Sequence, residues 1–149
     1  MNHHFYMELA LEEAAKALAL GEVPVGAVIV AAGGQVLARA HNLKEQQQDP
    51  TAHAEVLAIR QAAQKTGSWR LTNCTLYVTL EPCPMCAGAI VQSRIKTLVY
   101  GLADPKAGAV ESVVNLVQHK YLNHRVDVFA GICEDKCKKT MELFFLKLR

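Results

Sequence analysis

The sequence predicts an α/β fold, a three-layer α/β/α sandwich around a mixed sheet of about five strands. Segments with helical spacing of apolar residues alternate with short β-branched runs, in the order α-β-β-α-β-α-β-(α)-β-α. Strands joined through helices pack parallel with right-handed crossovers, so helices cover both faces of the sheet. The 149 residues, 51% hydrophobic and 20% charged, fit one compact domain over residues 1–149.

The first elements are a helix and a hairpin. Residues 4–20 place apolar side chains on one side at helical spacing, and Gly21 follows as a C-terminal cap. Residues 26–30 are a β-branched apolar run. The turn at 31–34 leads from it into a second run at 35–40, so the two runs predict a β-hairpin.

The central part of the chain predicts two strand-linked helices. Residues 42–51 are polar and predict a loop, after which 52–65 have helical composition. Residues 74–80 alternate as strands do, and Glu81-Pro82 opens a helix that runs to about residue 93.

The last part predicts two more strands and a closing amphipathic helix. The strands cover 97–101 and 126–130, and the helix covers 134–148. Between the strands, residues 102–121 predict a Gly- and Pro-containing loop followed by a short helix around 112–118.

Charge and composition predict a soluble, cytoplasmic protein. No apolar run approaches the roughly 20 residues of a membrane-spanning helix, and an acidic N-terminal segment stands where a signal peptide would be basic and apolar. The formal charge is +2, with the basic excess in the second half of the chain. This mild asymmetry indicates a solvated surface unless a nearby site binds a polyanion.

Four residues at two helix starts form a candidate metal site. His53 and Glu55 open one helix, and Cys83 and Cys86 open another directly after a strand. Helix N-termini of consecutive β-α units meet at one edge of a sheet, so both turns can face a common point. One imidazole and two thiolates are a plausible set of three ligands for tetrahedral Zn²⁺, which leaves the fourth position for water.

Glu55 is the candidate catalytic residue. It lies two residues beyond His53, close enough to take a proton from water at the metal and to pass it to a substrate ring nitrogen and then to a leaving amine. A lone C-x-x-C is ambiguous between zinc and redox chemistry. Together, H-x-E and P-C-x-x-C match the signature of the zinc nucleobase deaminases.

Beyond this signature, the sequence resembles the bacterial tRNA-specific adenosine deaminases over nearly its whole length. The resembling blocks are residues 22–27, 49–55, 76–89, 104–109, 123–126 and 144–145. The resemblance implies a cytidine deaminase-like fold, one Zn²⁺ per subunit, a homodimer, and conversion of the wobble adenosine (position 34) of a tRNA anticodon stem-loop to inosine, with an arginine tRNA as the expected substrate.

The resemblance also implies roles for individual residues. Asn42 would hydrogen-bond the nucleotide, the Ala54 backbone would orient the base, and Pro24 and Val25 would line the pocket. Phe144 or Phe145 would stack on the RNA. Flanking anticodon-loop nucleotides would lie against a further set of residues, namely Asp104, Lys106, Asn123, His124 and Arg125. Two departures from the family pattern, Glu111 and a less basic C-terminus, concern RNA affinity more than the reaction.

Other interpretations remain open at this point. The same chemistry in a closed pocket would suit a small-molecule deaminase of the guanine or cytosine type, and a non-catalytic RNA-binding or zinc-stabilised scaffold is a third possibility. Cys133 and Cys137 lie near His119 and His124 in sequence and suggest a second metal site, although small, partly buried cysteines are the commoner explanation.

Overall fold

A computed structural model describes residues 1–148 of the chain. Within them no helix is both long and apolar enough to cross a membrane. The elements, in chain order, are α1 (His3–Ala19), β1 (Gly26–Val30), β2 (Val36–His41), α2 (Lys44–Gln47), α3 (Ala54–Thr66), β3 (Thr75–Leu80), α4 (Pro84–Gln92), β4 (Thr97–Leu102), β5 (Asp127–Ala130) and α5 (Glu134–Lys147).

The strands form one mixed sheet in the order β2-β1-β3-β4-β5. β1 is antiparallel to both β2 and β3, so β2 and β3 run in the same direction. β3, β4 and β5 are parallel to one another. The predicted hairpin and the predicted mixed five-stranded sheet are confirmed.

Helices cover both faces of this sheet. α1 packs on β1, β2 and β3, and α5 packs on β4 and α1, whereas α3 packs on β1 and β2 and against α4. Because successive strand residues point to opposite faces, Val28 and Tyr77 enter the core beneath α1, while Ile29 and Leu76 enter the core beneath α3 and α4. The three-layer α/β/α sandwich is confirmed.

The helix ends follow the signals in the sequence. The Asn2 side chain caps α1 by accepting a hydrogen bond from the Phe5 N–H at 3.0 Å. α3 ends at Gly67, whose φ of +74° is the left-handed conformation that glycine adopts without steric cost. α4 begins with Pro84, which fits the first helical position because no backbone N–H is needed there.

The segment predicted as a loop at 42–51 contains the short helix α2, which the sequence analysis did not predict. Four residues are too few to show a helical period in the sequence. A tertiary contact stabilises α2, because the Glu22 carboxylate accepts the backbone N–H groups of Glu45 at 3.0 Å and Gln46 at 2.7 Å. Glu22 is only 2% exposed.

The short helix predicted around 112–118 is also wrong, since these residues form turns. The Glu81 carboxylate accepts the N–H groups of Glu111 at 2.8 Å and Ser112 at 3.0 Å, and the Asn115 side chain accepts that of Gln118 at 2.9 Å. Side-chain acceptors therefore take backbone donors in this segment, and turns form in place of a helix.

Candidate active site

The two predicted helix starts lie at the same edge of the sheet, which we call the catalytic edge. α3 follows β2 and α4 follows β3, and these strands run in the same direction. His53 is the N-cap residue of α3 and Cys83 is the N-cap residue of α4. The fold thus brings together side chains that are 30 residues apart in sequence.

His53, Cys83 and Cys86 form the one group of three or more potential metal ligands found among residues 1–148. His53 Nδ1 lies 3.6 Å from Cys83 Sγ and 3.4 Å from Cys86 Sγ. The three ligand atoms all lie within 4.8 Å of one another, close enough to share one ion. One nitrogen and two sulfur donors suit a tetrahedral metal with an open fourth position.

The protonation of these ligands is strongly perturbed. The pKa of Cys83 is lowered to about 4, because its sulfur accepts hydrogen bonds from the Cys86 thiol and from His53. The pKa of His53 is raised, chiefly by its hydrogen bond to Cys83. One thiolate is therefore already favoured beside the imidazole, and a thiolate is the form that binds metal.

Glu55 is a buried carboxylate, 3% exposed, in the first turn of α3. Among residues 1–148, its Oε1 is the single buried side-chain N or O atom without a hydrogen-bond partner. Burial raises the pKa of Glu55 to about 7. A carboxyl group that titrates near neutral pH and has a free oxygen can both take and give a proton.

Asn42 is held by the backbone at the start of α3. Its side-chain Oδ1 accepts the Ala54 N–H at 2.7 Å, and the backbone N–H of Asn42 donates to the Val25 carbonyl at 3.2 Å. These two bonds fix the residue so that its side-chain amide nitrogen remains free to donate to a ligand. The contact between Asn42 and the nucleotide stays a prediction, and the side-chain amide nitrogen of Asn42 is the donor that would make it.

A cavity of about 450 Å³ opens over the ligand cluster. His53, Glu55 and Cys83 lie on its wall, and the predicted residues Val25, Asn42 and Asp104 line it as well. Phe144 is the aromatic residue at the cavity, whereas Phe145 is 55% exposed and does not line it. Of the two phenylalanines, Phe144 is the one that could contact a bound base.

Glu81 organises the loop that forms one side of this cavity. Its carboxylate, on a side chain 2% exposed, accepts backbone N–H groups of Asp104 at 3.0 Å and Val110 at 3.1 Å, besides those of Glu111 and Ser112 and the Ser112 hydroxyl. Burial opposes ionisation, but these bonds outweigh it and lower the pKa of Glu81 to about 2.

Gly108 allows this arrangement because the carboxylate lies against its Cα. A Cβ built at Gly108 would clash with the Glu81 carboxyl carbon and both carboxylate oxygens, so a larger residue would displace one or the other. Sequence reasoning did not identify Glu81 or Glu22 as parts of the site, although both line the cavity. The available signal was an acidic residue directly before Pro82-Cys83, which does not reveal a buried acceptor.

Several predicted site residues do not line this cavity. Pro24 is buried, and Lys106 is exposed on the loop at Asp104, where its N–H donates to the Asp104 side chain at 3.0 Å. His124 Nε2 is hydrogen-bonded to the Ile95 carbonyl at 2.6 Å, just before β4 begins. Because β4 is parallel to β3, this is the edge of the sheet opposite the metal cluster.

The structure therefore does not bring Asn123, His124 and Arg125 to the cavity of the same chain. It also separates His124 from Cys133, which follows β5 at the other end of that strand. Cys133 Sγ instead lies 3.5 Å from His4 Nδ1. The suggested second metal site at Cys133 and Cys137 with His119 and His124 is wrong.

A three-layer α/β/α fold whose catalytic edge carries a His/Cys/Cys cluster beside a buried glutamate defines a deaminase. The family model of the MafB19-like deaminases matches residues 1–149. The tRNA-specific adenosine deaminase of Bacillus subtilis (strain 168) is 50% identical over 144 residues, which are 97% of this chain and 89% of that protein. The chain belongs to the family of tRNA-specific adenosine deaminases.

Solved structures agree with this assignment and with the cytidine deaminase-like fold. A structure from a study of A-to-I editing by tRNA:A34 deaminases superposes with a TM-score of 0.88 at 47% identity, covering 91% of this chain and 98% of that one. The guanine deaminase of Bacillus subtilis superposes with a TM-score of 0.65 at 42% identity, covering 69% of this chain and 66% of that one.

Proposed function

We propose that this protein hydrolyses the wobble adenosine, position 34, of a tRNA to inosine, with one zinc ion per subunit held by His53, Cys83 and Cys86. The observation that carries the proposal is the free Oε1 of buried Glu55 in a cavity whose wall includes His53 and Cys83, beside the buried Cys86. The specificities named for the similar proteins supply the substrate class. An arginine tRNA whose anticodon begins with adenosine is the expected substrate.

Zinc, when bound, would supply a Lewis acid that activates water toward attack on C6 of the base. Glu55 Oε1 would take a proton from that water and deliver it to the ring nitrogen. The same carboxylate would then take the remaining proton from the new C6 hydroxyl and deliver it to the exocyclic amine, which leaves as ammonia while the oxygen stays on C6. Water and adenosine thus give inosine and ammonia, with Glu55 regenerated.

The other cavity residues would bind and orient the base. The amide nitrogen of Asn42, held by Ala54 and Val25, would donate to the nucleotide, and Val25 would contact the flipped adenine. Asp104 on the loop tied to Glu81 would fix the adjoining backbone. Lys106, exposed on the same loop, would contact a neighbouring phosphate.

We further propose a homodimer in the cytoplasm, where tRNA is modified. Val113 and Val114 are 56% and 45% exposed on the segment that follows the Glu81-bound loop, and a second copy would cover them. Analytical ultracentrifugation of the wild-type protein and of Val113→Asp tests this. A wild type that sediments as a monomer at micromolar concentration would refute the dimer.

The test of the proposed function is inosine formation in an arginine tRNA transcript with adenosine at position 34, comparing wild type with Glu55→Ala. We expect inosine with the wild type only, and the same zinc content in both proteins. Removal of a group that transfers protons costs about 10²–10⁴-fold in rate. No inosine from zinc-loaded wild type would refute the proposal, and equal inosine from both proteins would refute the role of Glu55.

A second candidate is deamination of free guanine, favoured by the 42% identity to a guanine deaminase. Ammonia release from guanine, with no inosine in any tRNA, would support it. A scaffold protein without activity would lose nothing measurable in Glu55→Ala. The same pair of proteins, assayed on tRNA and on guanine, therefore separates all three possibilities.

A further inference from the structure

Three loops meet at the edge of the sheet opposite the catalytic edge. They are residues 67–74 before β3, 93–96 before β4 and 119–126 before β5. Hydrogen bonds join them directly: the Leu71 N–H donates to the Ser93 carbonyl at 2.8 Å, and the Asp127 N–H donates to the Lys96 carbonyl at 2.9 Å. We call this continuous surface the basic edge.

The Lys and Arg side chains of the basic edge form no ion pair within residues 1–148, since none of them lies within 4.0 Å of a carboxylate. The three loops contain no Asp or Glu, and the first acidic residue beyond them is Asp127. The cations concerned are Arg70, Arg94, Lys96, Lys120 and Arg125. Clustered cations without counter-charges repel one another, and a polyanion would relieve that repulsion.

An exposed aromatic ring orders two of these cations. Trp69 is 55% exposed, with the Arg70 guanidinium carbon 4.3 Å and that of Arg94 5.8 Å from its ring centroid. Arg94 Nη1 donates to the Val91 carbonyl at 2.9 Å, whereas the Arg70 guanidinium, stacked on the indole, keeps its in-plane N–H groups available. Such a pre-ordered guanidinium matches the geometry of a phosphate and binds it with two parallel hydrogen bonds.

The distance between the two edges restricts what could bind both. β3 has six residues, and at about 3.3 Å per residue it separates the edges by about 20 Å. One nucleotide in the cavity cannot reach the basic edge, but the sugar-phosphate backbone of a folded RNA can. Arginine and lysine side chains bind the regularly spaced phosphates of such a backbone through charge, without recognising the identity of the bases.

We propose that the basic edge binds phosphates of the helical stem of the RNA substrate, outside the nucleotides that enter the cavity. This inference rests on the proposed function for the identity of the RNA. It gives Arg125 a role at the stem, in place of the contact with flanking anticodon-loop nucleotides expected by resemblance, because Arg125 lies at the edge opposite the cavity of its own chain.

The test measures tRNA affinity in a Glu55→Ala background, which allows binding without turnover. The variant Arg70→Gln/Lys96→Gln removes two cations from the basic edge, and Lys138→Gln/Lys139→Gln removes two exposed cations from α5 as a matched control. Each lost phosphate contact lowers the slope of log affinity against log salt by about 0.7–0.9. We expect the edge variant to lower the slope by about 1.5 and to weaken binding about tenfold or more at physiological salt.

The stem assignment is tested with a second RNA, a hairpin trimmed to the anticodon loop and its closing base pairs. We expect the edge variant and its parent to bind this short RNA equally. Equal affinity for intact tRNA, an equal loss in the α5 control, or an equal loss with the short hairpin would each overturn the inference.

Failure of this inference and failure of the proposed function are distinguishable. If the wild type forms inosine and the edge variant binds tRNA as tightly as its Glu55→Ala parent, the inference about the basic edge is refuted and the proposed function stands. If the wild type forms no inosine but the edge variant still loses salt-dependent affinity for intact tRNA, the proposed reaction is refuted. The inference about the basic edge is then supported.

Discussion

The two edges of the sheet differ in whether their charged side chains have partners within the protein. At the catalytic edge, Glu22 and Glu81 are both 2% exposed, and their carboxylates accept backbone N–H groups of α2 and of the loop after β4, respectively. At the basic edge, five cations lie in three loops that contain no acidic residue. Acids at one edge thus organise the protein itself, whereas cations at the other remain available to a partner.

Glu55 differs from the other two buried glutamates at the catalytic edge. All three are at most 3% exposed, yet only Glu55 keeps an oxygen without a partner among residues 1–148. Hydrogen bonds lower the pKa of Glu81 to about 2, whereas burial raises that of Glu55 to about 7. Burial alone therefore does not identify the reactive carboxylate, because the number of its hydrogen bonds decides whether it can exchange a proton.

The largest effect expected at the catalytic edge comes from Cys86→Ala. Cys86 is fully buried in the ligand cluster, and its removal leaves two protein ligands for the metal. We expect bound zinc, measured by mass spectrometry, to fall from one per chain to near zero and inosine formation to stop. tRNA binding through the basic edge should persist.

Cys137→Ala is the matched control for that experiment. Cys137 is also buried, 1% exposed, but it lies on α5 and packs into the core on the other face of the sheet. The control should keep its zinc and its activity. Equal zinc loss in both variants would mean that general loosening of the core, and not ligand removal, releases the metal.

A smaller effect is expected at the Glu81 loop, from Gly108→Ala. The new Cβ would meet the Glu81 carboxylate, so we expect a loss of about 2–3 kcal/mol in the free energy of unfolding, as for overpacking in a filled core. In a Glu81→Ala background the clash disappears, and the same substitution should cost less than about 0.5 kcal/mol. Urea denaturation of the four proteins measures this coupling.

Gly88→Ala serves as the control for a glycine without such a neighbour. Gly88 lies inside α4, and a Cβ there would meet nothing within 4 Å. Alanine in a helix interior should stabilise the protein by about 0.5–1 kcal/mol. Additive effects of Gly108→Ala and Glu81→Ala would show that the carboxylate does not hold the loop through this contact.

The order of strands and helices was predictable because its signals are local. Gly21 and Gly67 both adopt positive φ at helix ends, as their positions after apolar-periodic segments suggest. The candidate metal ligands and Glu55 were predictable for the same reason. His53 and Glu55 lie within one helical turn, as do Cys83 and Cys86, and both turns follow strands that run in the same direction.

What the sequence did not predict depends on side chains distant along the chain. α2 depends on the Glu22 carboxylate, and the turns at 110–112 depend on Glu81, about 30 residues earlier. No local propensity encodes either contact. The surplus of basic residues in the second half of the chain was visible, but its concentration at one edge required the parallel pairing of β3, β4 and β5.

The smallest effect expected at the catalytic edge distinguishes two adjacent aromatic residues. Phe144 lines the cavity, whereas the neighbouring Phe145 ring, 5.6 Å away between centroids, is 55% exposed. Stacking of a base on an aromatic side chain contributes about 1–3 kcal/mol, so Phe144→Ala should raise KM for tRNA about tenfold, with kcat nearly unchanged. Phe145→Ala should change KM less than twofold. Steady-state inosine formation over a range of tRNA concentrations measures both, and a larger effect at Phe145 would place the RNA on the outer face of α5 and away from the cavity wall.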